Sequence, residues 1–324
     1  MIVVVCPGQG SQTPGFLEPW IADSGAKALL ETLSDAAGVD LVKHGTVSDA
    51  DTIRDTSIAQ PLIVAAGILT LDALAETDHL SKTAGIAGHS VGEFTAAAGA
   101  GVLDATDAVR LVGIRGRAMA DAAAIIPTGM SAVIGGEESE ILAKLTELGL
   151  FPANYNGGGQ LVVAGELPAL AKLAEEPPAG TRVIPLQVAG AFHTSYMLDA
   201  VETLREAAET VNTADAVKTL WTNKDGSIVT NGQEFRDLLV GQVSSPVRWD
   251  KCMESFAAAG VTGIIELAPA GALVGLAKRG LKGVPTVSVK TPEDLVAASE
   301  LIASGAKAAG RERTHHDSRE SQAV

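Results

Sequence analysis

The chain has 324 residues, 46% of them hydrophobic and 19% charged, and carries a net charge of −15. That supplies a core for one large domain or two ordinary ones and excludes a disordered composition. The acidity excludes nucleic acid and anionic membrane surfaces as expected partners, because holding phosphates requires a basic face.

The first element is the apolar run Ile2–Cys6, a predicted strand that buries the Cys6 thiol. No basic leader precedes it, and no run of about 18 apolar residues marks a membrane span, so the chain is expected in the cytoplasm. A helix is predicted over Ser57–Glu76 and a strand over Thr83–Ala87, followed by helices over Val91–Ala100 and Ala105–Ala124. Next come a strand at Thr219–Thr222, a helix at Phe235–Val240 and strands at Gly263–Leu267 and Thr286–Val289. The strands are short and apolar without alternation, as in sheets covered on both faces, so the fold class is α/β with a mainly parallel sheet. The stretch from Thr128 to Val188 reads differently, as β-α-β-α-β with strands at Met130–Ile134, Leu161–Ala164 and Val183–Val188. Its helices fall at Glu138–Leu148 and Leu167–Glu175, with Asn154–Gly159 as a flexible turn. This stretch, 128–188, is expected to be a subdomain inserted between core segments 1–127 and 189–309. The tail 310–324 has no apolar periodicity and is expected to be disordered. The two cysteines, Cys6 and Cys252, fit no metal cluster; a disulfide between them stays open.

Gly88-His89-Ser90-Val91-Gly92 has the form G-x-S-x-G, with a predicted strand before it and a predicted helix after it. That is the setting of a nucleophile elbow, where small residues allow a tight turn and the serine projects beside a helix N-terminus. The alternative is a glycine-rich turn in which Ser90 only caps the helix. A serine nucleophile needs a base. Among six histidines, His315 and His316 lie in the tail, His44 and His79 in polar stretches, and His89 adjoins the serine. His193 remains, just after a predicted strand, where α/β folds gather site residues; a structural histidine is the alternative. Arg115 is flanked by apolar residues on a helix directed inward, which suits either a solvated cation or a partly buried fork for a carboxylate. Cys6-Pro7-Gly8-Gln9-Gly10-Ser11-Gln12 is either an ordinary loop or one that points backbone N–H groups into a site.

These segments resemble the malonyl-CoA:acyl carrier protein transacylases of fatty acid and polyketide synthesis. The resemblance rests on Pro7–Gln12, Gly88–Glu93, Arg115-Gly116, Ala191-Phe192-His193 and Gln242–Trp249, in the family's order. It implies an α/β-hydrolase-like core with an inserted ferredoxin-like subdomain. It also implies Ser90 as the acylated nucleophile, His193 as general base, and the Gln242 backbone carbonyl as the group orienting that base. By the same resemblance, the N–H groups of Gln9 and Val91 form the oxyanion hole and Arg115 pairs with the malonyl carboxylate. Met119 lines the acyl pocket, and Phe192 marks malonyl selectivity against a branched methylmalonyl group. Malonyl-CoA is the implied substrate and the phosphopantetheine thiol of acyl carrier protein the acceptor, with no resident cofactor or metal and a monomeric chain. An acidic carrier would need a local basic patch, for which Lys278 and Arg279 are candidates; a pair of merely solvated charges is the alternative. Ser245 and Ala270 depart from the family's usual asparagine and glycine, so the loops that carry them are expected to differ in shape.

Overall fold

The computed structural model describes residues 1–77 and 80–305; the expected disordered tail from Gly310, with His315 and His316, lies outside these residues, as does His79. The amino-terminal elements are β1 (Ile2–Cys6), α1 (Ser24–Ala37), α2 (Leu41–Thr46), α3 (Thr56–Glu76), β2 (Gly85–Gly88), α4 (Gly92–Gly99) and α5 (Ala105–Ile125). Next come β3 (Thr128–Gly135), α6 (Glu138–Leu148), β4 (Phe151–Gly157), β5 (Gln160–Glu166), α7 (Leu167–Glu175) and β6 (Thr181–Pro185). The chain continues through α8 (Leu198–Ala208), β7 (Thr219–Trp221), α9 (Gly232–Gln242), β8 (Val247–Arg248) and α10 (Trp249–Ala258). It then forms β9 (Gly263–Glu266), α11 (Ala272–Gly280) and β10 (Thr286–Ser288).

One sheet has the order β10-β9-β1-β2-β7, all parallel. Its central strand β1 is buried throughout, and its side chains alternate between two cores. Ile2, Val4 and Cys6 join the cluster built with α3, α4 and α5. Val3 and Val5 join Trp249 and Phe256 of α10 and Leu273 of α11. A helix layer on each face explains the unalternated apolar runs of the strands. By length and composition α3 could cross a membrane, but 78% of its apolar window is buried inside the protein, where it serves as a core helix. Cys6 and Cys252 are both free and buried, which closes the disulfide alternative.

The second sheet has the order β6-β3-β5-β4-β8. Its pairs are antiparallel except β4 with β8. Helices α6 and α7 cover one face through Ile141, Leu145, Leu170 and Leu173. The other face, with Met130, Ala132 and Val162, turns toward a cleft. The segment read as β-α-β-α-β is therefore β-α-β-β-α-β, because Asn154–Gly157, expected as a flexible turn, belongs to strand β4. That strand is hard to read because Pro152, Asn154 and Asn156 break its apolar pattern and two register shifts interrupt its pairing with β5. β6 ends at Pro185 rather than Val188.

The turn after β2 depends on two glycines. A Cβ on Gly88 would lie 2.0 Å from the Gly92 carbonyl carbon, and one on Gly92 would lie 2.2 Å from the Cys6 oxygen. Both obstacles are backbone, which cannot rotate away. Gly88→Ala is expected to cost at least about 3 kcal/mol, seen as a lowered urea midpoint. Gly275→Ala on α11 is the control. It meets nothing within 4 Å, so the variant should be neutral or more stable by up to about 1 kcal/mol. Equal midpoints for the two variants would refute the close approach at the turn.

Candidate active site

The turn places Ser90 between the end of β2 and the start of α4, at φ 53°. A non-glycine residue in this left-handed region is strained and must be held by its surroundings. Asn223, just beyond β7, holds it. Its Oδ1 accepts from the Ser90 N–H at 2.7 Å, and its Nδ2 donates to the Gly88 carbonyl at 2.7 Å. The Ser90 hydroxyl lies 2.7 Å from Nε2 of His193, itself at φ 63°. Nδ1 of His193 lies 2.9 Å from the Gln242 carbonyl oxygen, at the end of α9. A carbonyl only accepts, so Nδ1 carries the proton and Nε2 is left to accept from the serine. Burial, aided by the nearby Arg115 charge, lowers the His193 pKa to about 3, so the ring is a neutral base. The other described histidines are engaged with other partners: Nε2 of His89 contacts Asn156 Oδ1 at 2.8 Å, and His44 contacts Ser48.

Ser90, His193, Gln9, Val91, Met119 and Phe192 line one cavity of about 380 Å³ between the two sheets. That is within the range of small-molecule sites. Among the described residues, the backbone N–H groups of Gln9 and Val91 donate to no acceptor in the protein. Arg115 lines the same cavity and is 1% exposed. Gly116 allows α5 to pass close enough to α3 to place it, since a Cβ there would sit 2.9 Å from the Thr56 oxygen. Its Nη1 donates to Gln60 Oε1 at 2.5 Å and its Nη2 to Gln242 Oε1 at 3.0 Å, while Nε has no partner among the described residues. Its direct partners are amide oxygens, and no carboxylate among the described residues touches it. Burial lowers its pKa to about 10, with the Glu93 charge opposing, and the guanidinium remains a cation. The solvated alternative for Arg115 is thus set aside by its burial. Met119, one turn along α5, accepts from Gln60 Nε2 at Sδ, 3.4 Å away.

Arg279 lies exposed at the rim of the cavity, on the last turn of α11; Lys278 is exposed beside it but does not line the cavity. Glu266 fixes α11 by accepting from the N–H groups of Gly271, Leu273 and Val274. Ala270, which stands in place of the usual glycine, adopts the left-handed region at φ 48° despite its Cβ. Three site residues have no place in the reading from sequence: Gln60, Asn223 and the carboxyl of Glu93. Asn223 had one usable signal, its position at the carboxyl end of a parallel strand. Glu93 lies within the quoted elbow segment, and burial raises its pKa to about 8.

With this geometry in hand, the chain compares closely with known proteins. Residues 3–300 match the acyl transferase domain family. A malonyl CoA-acyl carrier protein transacylase of Mycobacterium tuberculosis is 51% identical over 296 residues, covering 91% of this chain and 98% of that protein. The crystal structure of MCAT from the same organism superposes with a TM-score of 0.90 at 50% identity, covering 93% of this chain and 99% of that one. A type II PKS acyl-carrier protein in complex with its malonyl-transacylase superposes with a TM-score of 0.86 at 29% identity, covering 92% of this chain and 99% of that one. The cleft thus sits on the expected α/β frame, and the chain belongs to the malonyl CoA-acyl carrier protein transacylase family of acyl transferase domains.

Proposed function

We propose that this chain moves a malonyl group from malonyl-CoA to the phosphopantetheine thiol of an acyl carrier protein, through an O-malonyl Ser90 intermediate. His193 Nε2 takes the Ser90 proton as Oγ attacks the thioester carbonyl. The C–S bond breaks, and coenzyme A leaves with the proton returned by His193. The carrier's thiol then gives its proton to His193 and attacks the ester. The C–Oγ bond breaks and Ser90 recovers its hydrogen. The Gln242 carbonyl keeps the imidazole in the required tautomer. The N–H groups of Gln9 and Val91 face the oxygen that becomes negative in each half-reaction.

The observation that carries the malonyl reading is Arg115: a buried cation lining the serine's own cavity, whose direct partners among the described residues are neutral amide oxygens. It forms a seat for a carboxylate. Met119 and Phe192 bound the acyl group beside it. In this scheme proton transfer and charge stabilisation come from protein groups, with no resident cofactor or metal. Of the described residues, those in 1–127 and 189–305 form the catalytic core and 128–188 the inserted unit that closes the cleft; positions 306–309, expected to belong to the core, lie outside them. Lys278 and Arg279 offer an acidic carrier a basic spot beside the cavity mouth, on a chain whose net charge is −15. The substrates place the reaction in the cytoplasm.

Incubation with radiolabelled malonyl-CoA tests the proposal. Label should accumulate on Ser90 and be discharged onto a holo carrier protein. Prompt release of free malonate, with nothing transferred to the carrier, would mark a hydrolase and overturn it.

A further inference from the structure

We infer that Glu93 is a positioning residue for this reaction, bracing the Ser90 turn through Asn223 and the side chain of Gln242 through its second oxygen. The inference rests on the proposed role of Ser90 and extends it. Glu93 is 1% exposed, one helical position beyond Gly92, and does not touch the cavity that holds Ser90. Its Oε1 accepts from the Asn223 backbone N–H at 2.7 Å, and its Oε2 accepts from Gln242 Nε2.

These bonds have fixed direction. Arg115 can only donate, so the Gln242 atom facing Nη2 is the amide oxygen. The atom facing Glu93 is then the amide nitrogen, and Glu93 Oε2 must accept. The Asn223 backbone N–H requires the same of Oε1. The site therefore demands a side chain with two acceptors at position 93: burial favours the protonated acid, but the two N–H donors and the nearby Arg115 charge favour the carboxylate that these bonds require. Glutamine would fail in either orientation of its amide, because one N–H group would always face another.

The two bonds reach both reacting side chains. Asn223, held at its backbone by Glu93, clamps the Ser90 N–H with its side chain. Gln242 Nε2 also donates to the Ser90 carbonyl at 3.1 Å, while the Gln242 backbone carbonyl accepts from His193 Nδ1. One carboxyl thus ties the strained nucleophile to the residue that orients its base. A displacement of a few tenths of an ångström there would lengthen the contact between Ser90 and His193.

An exchange of partners tests this. Glu93→Gln sets donor against donor; Gln242→Glu sets acceptor against acceptor. The double variant Glu93→Gln/Gln242→Glu restores the pairing with its direction reversed. The new amide at position 93 would donate to the new carboxylate at position 242, which would still accept from Arg115. The readout is the rate at which a neutral alkyl fluorophosphonate labels Ser90, which needs no carboxylate seat, measured alongside thermal midpoints. Each single variant should label about 10–100-fold more slowly, the loss expected for a buried polar pair left unmade. The double variant should outpace both singles and come within about tenfold of wild type. The remaining deficit is the two bonds from position 242 to the Ser90 carbonyl and to Asn223 Oδ1, which the exchange does not restore because both acceptors would face a carboxylate. A Glu93→Gln rate equal to wild type, or a double variant no faster than the slower single, overturns the inference. If a single variant does not fold, Asn223→Ala serves in its place. It withdraws the acceptor from the Ser90 N–H while keeping the backbone bond to Glu93, and a wild-type rate there is equally fatal. Failure of the proposed function would show differently, as wild-type protein that never carries malonyl label.

Discussion

Ser90→Ala is expected to lower malonyl transfer at least about 10,000-fold and to abolish covalent labelling, the scale found when a nucleophile is removed. His193→Ala should lose a comparable factor, because the 2.7 Å contact makes the pair act as one unit. The double variant should therefore be little worse than either single. Residual transfer near wild type in Ser90→Ala would assign the chemistry elsewhere. The same pair predicts a pH profile. With the His193 pKa at about 3 rather than 6.5, Nε2 stays unprotonated, and Ser90 labelling by a neutral phosphonate should stay flat from roughly pH 5 to pH 7. An acid limb near 6.5 would contradict a neutral buried base. Stability runs the other way. The unfolded chain takes up a proton at this histidine below 6.5 and the folded chain does not until about 3, so this residue destabilises the fold as pH falls across that window. Rates at the acid end must be read alongside a folding probe.

The Ser90 turn is legible in sequence because local constraints announce it, whereas His193 is reached only by elimination among six histidines. Gly88 and Gly92 are required by backbone approaches within a few residues of Ser90, and the flanking strand and helix have clear apolar patterns. Likewise, β1 buries every side chain and α3 all but a few, so neither can be mistaken for a loop. The strand β4 is lost to the eye because it carries cavity-facing polar residues, Asn154 and Asn156, where a core strand would carry valine or isoleucine. The polar braces are hidden for another reason. Asn223 reaches the Ser90 N–H across 133 positions, and Gln60 reaches Arg115 across 55. No periodicity or spacing records such contacts; the fold alone brings these amides together. The role implied for the Gln242 carbonyl came from family resemblance, and its side-chain contacts to Arg115, Ser90 and Glu93 emerge from the structure.

The burial of Arg115 leads to the sharpest test of substrate choice. Arg115→Ala should reduce kcat/KM for malonyl-CoA by about 100- to 10,000-fold, corresponding to the roughly 3–5 kcal/mol lost when a buried charge loses its partner. Transfer of an uncharged acyl group such as acetyl should change far less, since it has no carboxylate to strand. Arg115→Lys should not rescue malonyl transfer. A single ammonium cannot span the Gln60 and Gln242 oxygens and still present a planar edge to a carboxylate. The ratio of the two substrates matters more than either rate. Loss of the guanidinium also frees Gln242 Oε1, and some shared loss on both acyl groups follows from that. Selectivity belongs to the part that malonyl loses and acetyl does not. Equal losses on both would make Arg115 a brace for Gln242 alone, and the carboxylate seat would have to be sought elsewhere in the cavity.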